Sequence, residues 1–270
     1  MGKATRNLLI TGTGLVIVYG IMKFVAKKWM EDESIDDNNA CYIKSDFRSN
    51  EGIYRKANIY ESIVKPALDQ ILSFGGLIIL SPLFGLISLA VYIDNPGPVF
   101  FTQKRIGKDK IYFMCHKFRS MRISTPHDVP THQLSNPDQY ITRVGKILRL
   151  TSMDELPQIW DIFRKKMSVI GPRPALWNQD DLIAERDRYD ANNVLPGLTG
   201  LAQIKGRDKL EISDKAKLDG EYVRVLKAGG IEAFTQDMRC FFGTVKSVLH
   251  HDGVIEGGIG ELKRQKQRGY

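Results

Sequence analysis

Two uncharged runs interrupt an otherwise mixed chain. Residues 8–22, LLITGTGLVIVYGIM, carry no charge; counted past Lys23 to Ala26 the run is 19 residues, about 28 Å as a helix at roughly 1.5 Å per residue. That just matches a bilayer core of about 30 Å. Lys3 and Arg6 precede it, as in a signal peptide, but Lys23, Lys27, Lys28 and Trp29 follow where small residues would mark a cleavage site. The pattern predicts an uncleaved N-terminal transmembrane anchor with its C-terminal end in the cytoplasm. The second run, Gln70 to Ile93, has 24 residues and no charge, about 36 Å as a straight helix. Ser81-Pro82 sits at its middle, and proline removes a helical hydrogen bond and crowds the preceding turn, so a bend is expected there. Arg55, Lys56 and Lys65 on one flank nearly balance Lys104, Arg105, Lys108 and Lys110 on the other. Balanced flanks suit a helix-break-helix that enters and leaves on one face. A kinked spanning helix fits the same residues.

Beyond these runs the pattern is that of a folded domain. Pro98–Ile106 and Lys110–Met121 are rich in Val, Ile, Phe and Tyr around Gly107-Lys108-Asp109, which predicts a β-hairpin. Helices are expected at Leu156–Lys166, Asp180–Asp190 and, amphipathic, Ile231–Leu249. Gly171-Pro172-Arg173-Pro174 and Leu195-Pro196-Gly197-Leu198-Thr199-Gly200 read as tight loops. The expected organisation is an anchor (1–30), a polar linker (31–62) with five acids among residues 31–37, a membrane helix (63–94), a folded domain (95–255) and a basic tail (256–270). The fold class is α+β and helix-rich.

Composition adds direction. Lys and Arg number 39 against 31 Asp and Glu, an excess suited to phosphates, nucleic acids or anionic lipid. Cys41, Cys115 and Cys240 lie far apart, which favours a reducing compartment and argues against a structural zinc site. No P-loop and no GxSxG is present.

Three stretches could carry chemistry. In Arg149-Leu-Thr-Ser-Met-Asp154-Glu155-Leu-Pro157, Ser152 and Glu155 have capping-box spacing, so helix punctuation alone accounts for the pattern. The same geometry would keep a carboxylate ionised at a helix N-terminus, able to attack phosphorus or bind a metal, with Arg149 as a nearby cation. In His116-Lys117-Phe118-Arg119, Lys117 and Arg119 share a strand face and suit phosphate or headgroups, or simply a solvated edge. Prolines around Arg173 fix its backbone for gripping an anion, or merely make a tight connection.

In order, PGPVFFTQKRIG, KFRSM, RLTSMDELPQIWDIF, MSVIGPRP, PGLTGLAQIKGR and KLDGEYV resemble the bacterial sugar transferase family, the monotopic phosphoglycosyl transferases that act as polyprenyl-phosphate hexose-1-phosphate transferases. The resemblance covers about Val64 to Gly253. It implies transfer of a sugar-1-phosphate from a UDP-sugar to polyprenol (undecaprenyl) phosphate on the cytoplasmic face of the inner membrane. UMP is released, through a covalent phosphosugar-aspartate, at the start of surface polysaccharide synthesis. It implies a re-entrant helix broken at Ser81-Pro82, Asp154 as nucleophile, Glu155 as the Mg²⁺ residue, and substrate binding by Arg149, Pro172, Arg173, Pro174, Arg207 and Asp219; the strand alternation adds Lys117 and Arg119 to the expected substrate-binding residues. Lys110 stands where the family's hairpin turn has a second glycine, Leu201 where it has Trp, and Ile204-Lys205 where it has Val-Asn. The expected partners are UDP-sugar, polyprenol phosphate and membrane lipids, with a homo-oligomer admitted and nucleic acid excluded. A non-catalytic membrane adaptor using the basic hairpin is the reading from another class; it predicts that Asp154 tolerates neutral replacement.

Overall fold

The computed structural model describes residues 57–125, 137–206 and 210–249. The expected anchor, most of the linker, the basic tail and Arg207 lie outside the described residues. A π-helical turn, Tyr60–Val64, leads directly into helix α1, Lys65–Asp94. Strands β1 (Phe100–Ile106) and β2 (Tyr112–Phe118) then form the expected antiparallel hairpin, with Phe101 opposite Lys117 and Thr102 opposite His116. Helices α2 (Arg143–Leu150) and α3 (Gln158–Phe163) follow, then β3 (Ser168–Ile170), α4 (Asp180–Asp187), β4 (Gly197–Thr199), α5 (Leu201–Lys205), α6 (Ile212–Ala228) and α7 (Gly230–Leu249). Short β3 and β4 pair in parallel. Helices dominate, as the sequence pattern requires.

The break expected at Ser81-Pro82 is not formed: helix α1 is continuous through Pro82. Among the described residues it belongs to the one helix, Tyr60–Asp94, long and apolar enough to cross a membrane, and only 22 % of its most apolar stretch is buried. A core helix of a soluble domain would be mostly buried. Ile71, Phe74, Ile79, Leu86, Leu89 and Ile93 instead stand exposed. Its buried stripe, Lys65, Asp69, Ser73, Ser81, Phe84, Ile87 and Val91, follows helical spacing and runs the length of the helix. The first half is tied down by polar bonds. Lys65 Nζ donates to Asp237 of α7 at 2.7 Å, Asp69 accepts from Val169 N at 2.9 Å, and Gln70 reaches the Ile162 and Phe163 carbonyls at 3.2 Å. The second half packs Phe84, Ile87 and Val91 against Phe118 and Leu148. Both halves therefore bear on the same domain.

Asp237 is the hub of the first contact, for it also accepts from Tyr60 OH at 2.7 Å and Tyr222 OH at 3.0 Å. Around it lies the larger core, with Ile170, Val194, Leu201, Val223 and Leu226. The hairpin turn explains Lys110. Asp109 and Lys110 have φ of 54° and 60°, the left-handed region where glycine is the default. Lys110 meets that strain with an ion pair to Asp187 at 2.9 Å, joining the hairpin to α4.

Candidate active site

Met153–Glu155 form a 3-10 turn between α2 and α3. Ser152 before it is left-handed, at φ 57° and ψ 17°, and makes no side-chain cap bond. The capping box expected from Ser152 and Glu155 is not formed, and the helix expected at Leu156–Lys166 is regular only over Gln158–Phe163. The reason is long-range. Glu155 Oε1 accepts from Lys117 Nζ at 2.7 Å, Oε2 accepts from Arg173 Nη1 at 3.0 Å, and Arg173 Nη2 closes a further bond on Oε1. Charge-assisted bonds are about twice as strong as neutral ones, so two cations win the carboxylate from one backbone N–H.

The two acids are set apart by their surroundings. Burial by itself would raise the Glu155 carboxyl, but the charges and hydrogen bonds of Arg173 and Lys117 outweigh it and hold that carboxyl well below the usual range. Asp154 is buried, and among the described residues no side chain donates to its carboxylate. Burial pushes its carboxyl up, and the Glu155 charge adds to that; Lys117, Arg149 and Arg173 pull it back only in part. The charge on Asp154 is thus stabilised by nearby cations rather than by a helix dipole, since α3 begins after the dyad.

Each cation is positioned by the fold. Lys117 comes from β2, where neighbouring His116 is locked to Asp161 of α3: its backbone N–H donates to Oδ2 at 2.9 Å and its Nδ1 lies 2.6 Å from Oδ1. Arg149 sits in the last turn of α2, whose start is capped by Thr142 accepting from Gly145 N at 2.9 Å. Arg173 follows β3 in a loop stitched on both sides. Gly171 N donates to Thr199 O and Gly197 N to Pro172 O, both at 2.8 Å, and Arg105 Nη1 donates to Pro174 O at 2.7 Å. A Cβ on Gly197 would fall 2.1 Å from Gly171 N, so only glycine permits this approach.

Of the residues expected from the sequence, Lys117, Arg149, Asp154, Glu155 and Arg173 converge, with Pro172 and Pro174 framing Arg173. Two others are committed elsewhere. Arg119 is buried and donates to the Asn95 carbonyl at the end of α1, so it does not share the Lys117 cluster as the strand alternation suggested. Asp219 is buried on α6 and takes Arg186 Nε at 2.9 Å and Nη2 at 2.6 Å, fastening α6 to α4. Sequence reasoning missed the His116–Asp161 pair; a lone acid within the apolar QIWDIF helix was its only signal.

Three cations face two carboxylates, so the cluster keeps a positive charge for an anionic substrate. Among the described residues no group of three His, Cys, Asp or Glu gathers to hold a metal by itself. The donor set fits magnesium in another way, through one or two carboxylates with substrate phosphates and water completing the shell.

A long apolar helix packed on a domain that holds a carboxylate pair ringed by cations is the build of an enzyme that handles anions beside a lipid phase. Comparison with known proteins gives this class its family: the bacterial sugar transferase model matches residues 60–251, and the chain belongs to that family of phosphoglycosyl transferases. It is 36 % identical over 194 residues to the exopolysaccharide production protein PSS of Rhizobium leguminosarum, covering 69 % of this chain and 96 % of that protein. It is 38 % identical over 175 residues to the UDP-glucose:undecaprenyl-phosphate glucose-1-phosphate transferase of Escherichia coli, which covers 60 % of this chain and 36 % of that protein. The undecaprenyl-phosphate galactose phosphotransferase of Salmonella typhimurium is 32 % identical over 207 residues, 70 % of this chain and 41 % of that protein. The chain thus spans nearly all of the first relative and well under half of the other two.

Proposed function

We propose that this protein transfers a sugar-1-phosphate from a UDP-sugar to a polyprenol phosphate, beginning the synthesis of a surface polysaccharide. One observation carries the reading: Asp154 is buried, receives no hydrogen bond from another described residue, and sits beside a Glu155 that Lys117 and Arg173 immobilise. An uncommitted carboxylate in a cation-lined site is a nucleophile for phosphorus. Asp154 attacks the sugar-side phosphorus of the diphosphate, a phosphosugar-aspartate forms, and the phosphoanhydride bond breaks to release UMP. An oxygen of the polyprenol phosphate then attacks the same phosphorus, yielding the polyprenyl diphosphosugar and restoring the Asp154 carboxylate.

Lys117, Arg149 and Arg173 hold the diphosphate and stabilise charge on the departing UMP. Glu155, kept ionised, is the residue suited to Mg²⁺, with Asp154 as its neighbour. Bound there, the ion would act as a Lewis acid on the phosphates.

The relatives named for undecaprenyl-phosphate transfer support the acceptor class. The buried stripe along both halves of α1 supports a helix that stays with its domain on one face of the membrane, which we take to be the cytoplasmic face of the inner membrane. A spanning helix would carry one half away from a domain confined to one side. The test is intact-mass measurement after adding a UDP-sugar without acceptor. Wild type should gain one sugar-phosphate and release UMP, and Asp154→Asn should gain nothing. An adduct that survives in Asp154→Asn would exclude this nucleophile.

A further inference from the structure

A cavity of about 250 Å³ adjoins the dyad, walled in part by Glu155, Arg173, Leu198, Ile204, Phe241 and Val245. It is smaller than the roughly 300–1,000 Å³ that takes a whole drug-sized ligand, so it receives one part of a substrate. The three substrate parts that could enter differ sharply in polarity: the sugar, the nucleoside and the lipid tail.

The threonine hydroxyls on the wall are already engaged. Thr199 and Thr244 face each other hydroxyl to hydroxyl at 2.6 Å, and Thr244 also donates to the Cys240 carbonyl at 2.8 Å. Thr151 donates back to Ile147 O at 2.8 Å. With these hydroxyls committed, the threonines offer the cavity their methyl groups. Gln203 Oε1 is the wall atom that is buried without a hydrogen bond, and it lies against Gly200. Beyond the charged Glu155 and Arg173, so sparse a set of open polar atoms serves a hexose or a uracil poorly, since each carries several donors and acceptors that need partners once dehydrated.

The rim is apolar as well. Met153, Phe241 and Val245 line the cavity and are also exposed, at 36 %, 38 % and 45 %. On α7, Phe241 and Val245 continue a stripe through Ile231 and Phe234 that is open along the helix, while Ala233, Asp237 and Cys240 form its buried side. An amphipathic helix with an open apolar face is suited to a lipid interface. The cavity therefore joins an exposed apolar rim to Glu155 and Arg173 in its wall.

We infer that this cavity is the seat of the first isoprene units of the polyprenol phosphate, entering sideways along α7 so that the phosphate arrives beside the dyad. The inference rests on the proposed acceptor and adds where its tail is held. It makes Val245 and Phe241 determinants of acceptor recognition, with no part in the first half of the reaction.

The test uses the full-length protein in phospholipid nanodiscs with a benzophenone-bearing farnesyl phosphate. Trypsin cutting after Arg239 and Lys246 yields residues 240–246, which contain both Phe241 and Val245. Light should place the label on that peptide, and polyprenol phosphate should displace it while added phosphatidylglycerol does not. Val245→Trp should raise the KM for polyprenol phosphate by about tenfold or more, with the yield of phosphosugar-enzyme from UDP-sugar unchanged within about twofold. Label on other peptides, or displacement by any phospholipid, overturns the inference. So does a wild-type acceptor KM in Val245→Trp. Specific labelling of 240–246 in a protein that releases no UMP from any UDP-sugar would keep the lipid seat while removing the proposed reaction.

Discussion

The Ser81 hydroxyl donates to the Ile78 carbonyl at 2.7 Å, and Ile78 lies four residues before Pro82. That carbonyl is the one that the missing N–H of Pro82 leaves without its helical donor. A side chain thus replaces the lost backbone donor, which explains why α1 runs on through a proline in an apolar setting where water cannot help. Ser81→Ala should cost about 1–3 kcal/mol, the range for leaving a buried acceptor unmade. In a Pro82→Leu background the restored N–H takes the carbonyl, and the same Ser81→Ala change should cost almost nothing. Thermal unfolding of the four proteins in detergent gives the coupling directly. Equal costs in both backgrounds would show that the hydroxyl has another role.

Asp154→Asn should abolish UMP release and also raise the melting temperature. The sign follows from burial. A carboxyl whose folded pKa lies above its unfolded value favours folding below the unfolded pKa, and that contribution is lost as pH rises through the folded value. At neutral pH the wild type therefore carries a destabilising charge that the amide does not. The stability gap between variant and wild type should widen as pH increases across the raised pKa. Calorimetry at several pH values checks it, and a gap that narrows with pH contradicts it. Transfer by the wild type should fall on acidification at a higher pH than an ordinary aspartate would give.

Glu155 should behave in the opposite sense. Its depressed pKa gives stability that is present above the unfolded value and lost only as pH falls through the folded one, deep in acid. Glu155→Gln leaves Lys117 and Arg173 without their anion and should cost roughly 1.5–3 kcal/mol at neutral pH. Arg173, partly open to solvent, contributes less than its two bonds to Glu155 would in a fully buried site. With Mg²⁺ on this carboxylate, half-saturation by Mg²⁺ should shift upward by about tenfold. An unchanged magnesium titration would assign the ion elsewhere.

These contrasts show what was legible beforehand. The hairpin appeared because alternation and turn chemistry are local, and its predicted limits, Pro98–Ile106 and Lys110–Met121, bracket the observed strands. Helix α7, expected from Ile231, begins at Gly230. The motif residues Lys117, Arg149, Asp154, Glu155 and Arg173 do converge. The capping box failed because its Glu155 answers to charges 38 and 18 residues away, which no local spacing displays. The bonds of Arg119 to Asn95 and of Asp219 to Arg186 were illegible for the same reason: those partners are fixed only by tertiary packing.

Arg173→Ala should lower kcat/KM for the UDP-sugar by roughly ten- to a hundredfold, the equivalent of a lost charge-assisted hydrogen bond. Arg173 is held by a loop whose glycines and prolines leave little room, so a lysine in its place would keep the charge and lose the paired Nη contacts on Glu155. Arg173→Lys should recover only a minor part of the loss. Kinetics in which either change raises only the acceptor KM would move Arg173 to the lipid phosphate.

The topology of α1 follows from its packing. Lys65, Asp69 and Gln70 bond to the catalytic domain near the start of the helix, and Phe84, Ile87 and Val91 pack on Phe118 and Leu148 of that domain near the end. A helix crossing the bilayer would have to break one set. Ser62 and Lys108, exposed before and after the helix, should therefore lie on one face of the membrane. Thiol labelling in intact cells tests this with Ser62→Cys and Lys108→Cys in a Cys41→Ser background. Cys115 and Cys240 give no signal, being buried with thiols that burial pushes up to about 12. Both engineered thiols should resist a membrane-impermeant reagent until the cells are permeabilised. Labelling of Ser62→Cys from outside, with Lys108→Cys protected, would mean that the helix spans and that one of the two packed halves is released in the membrane.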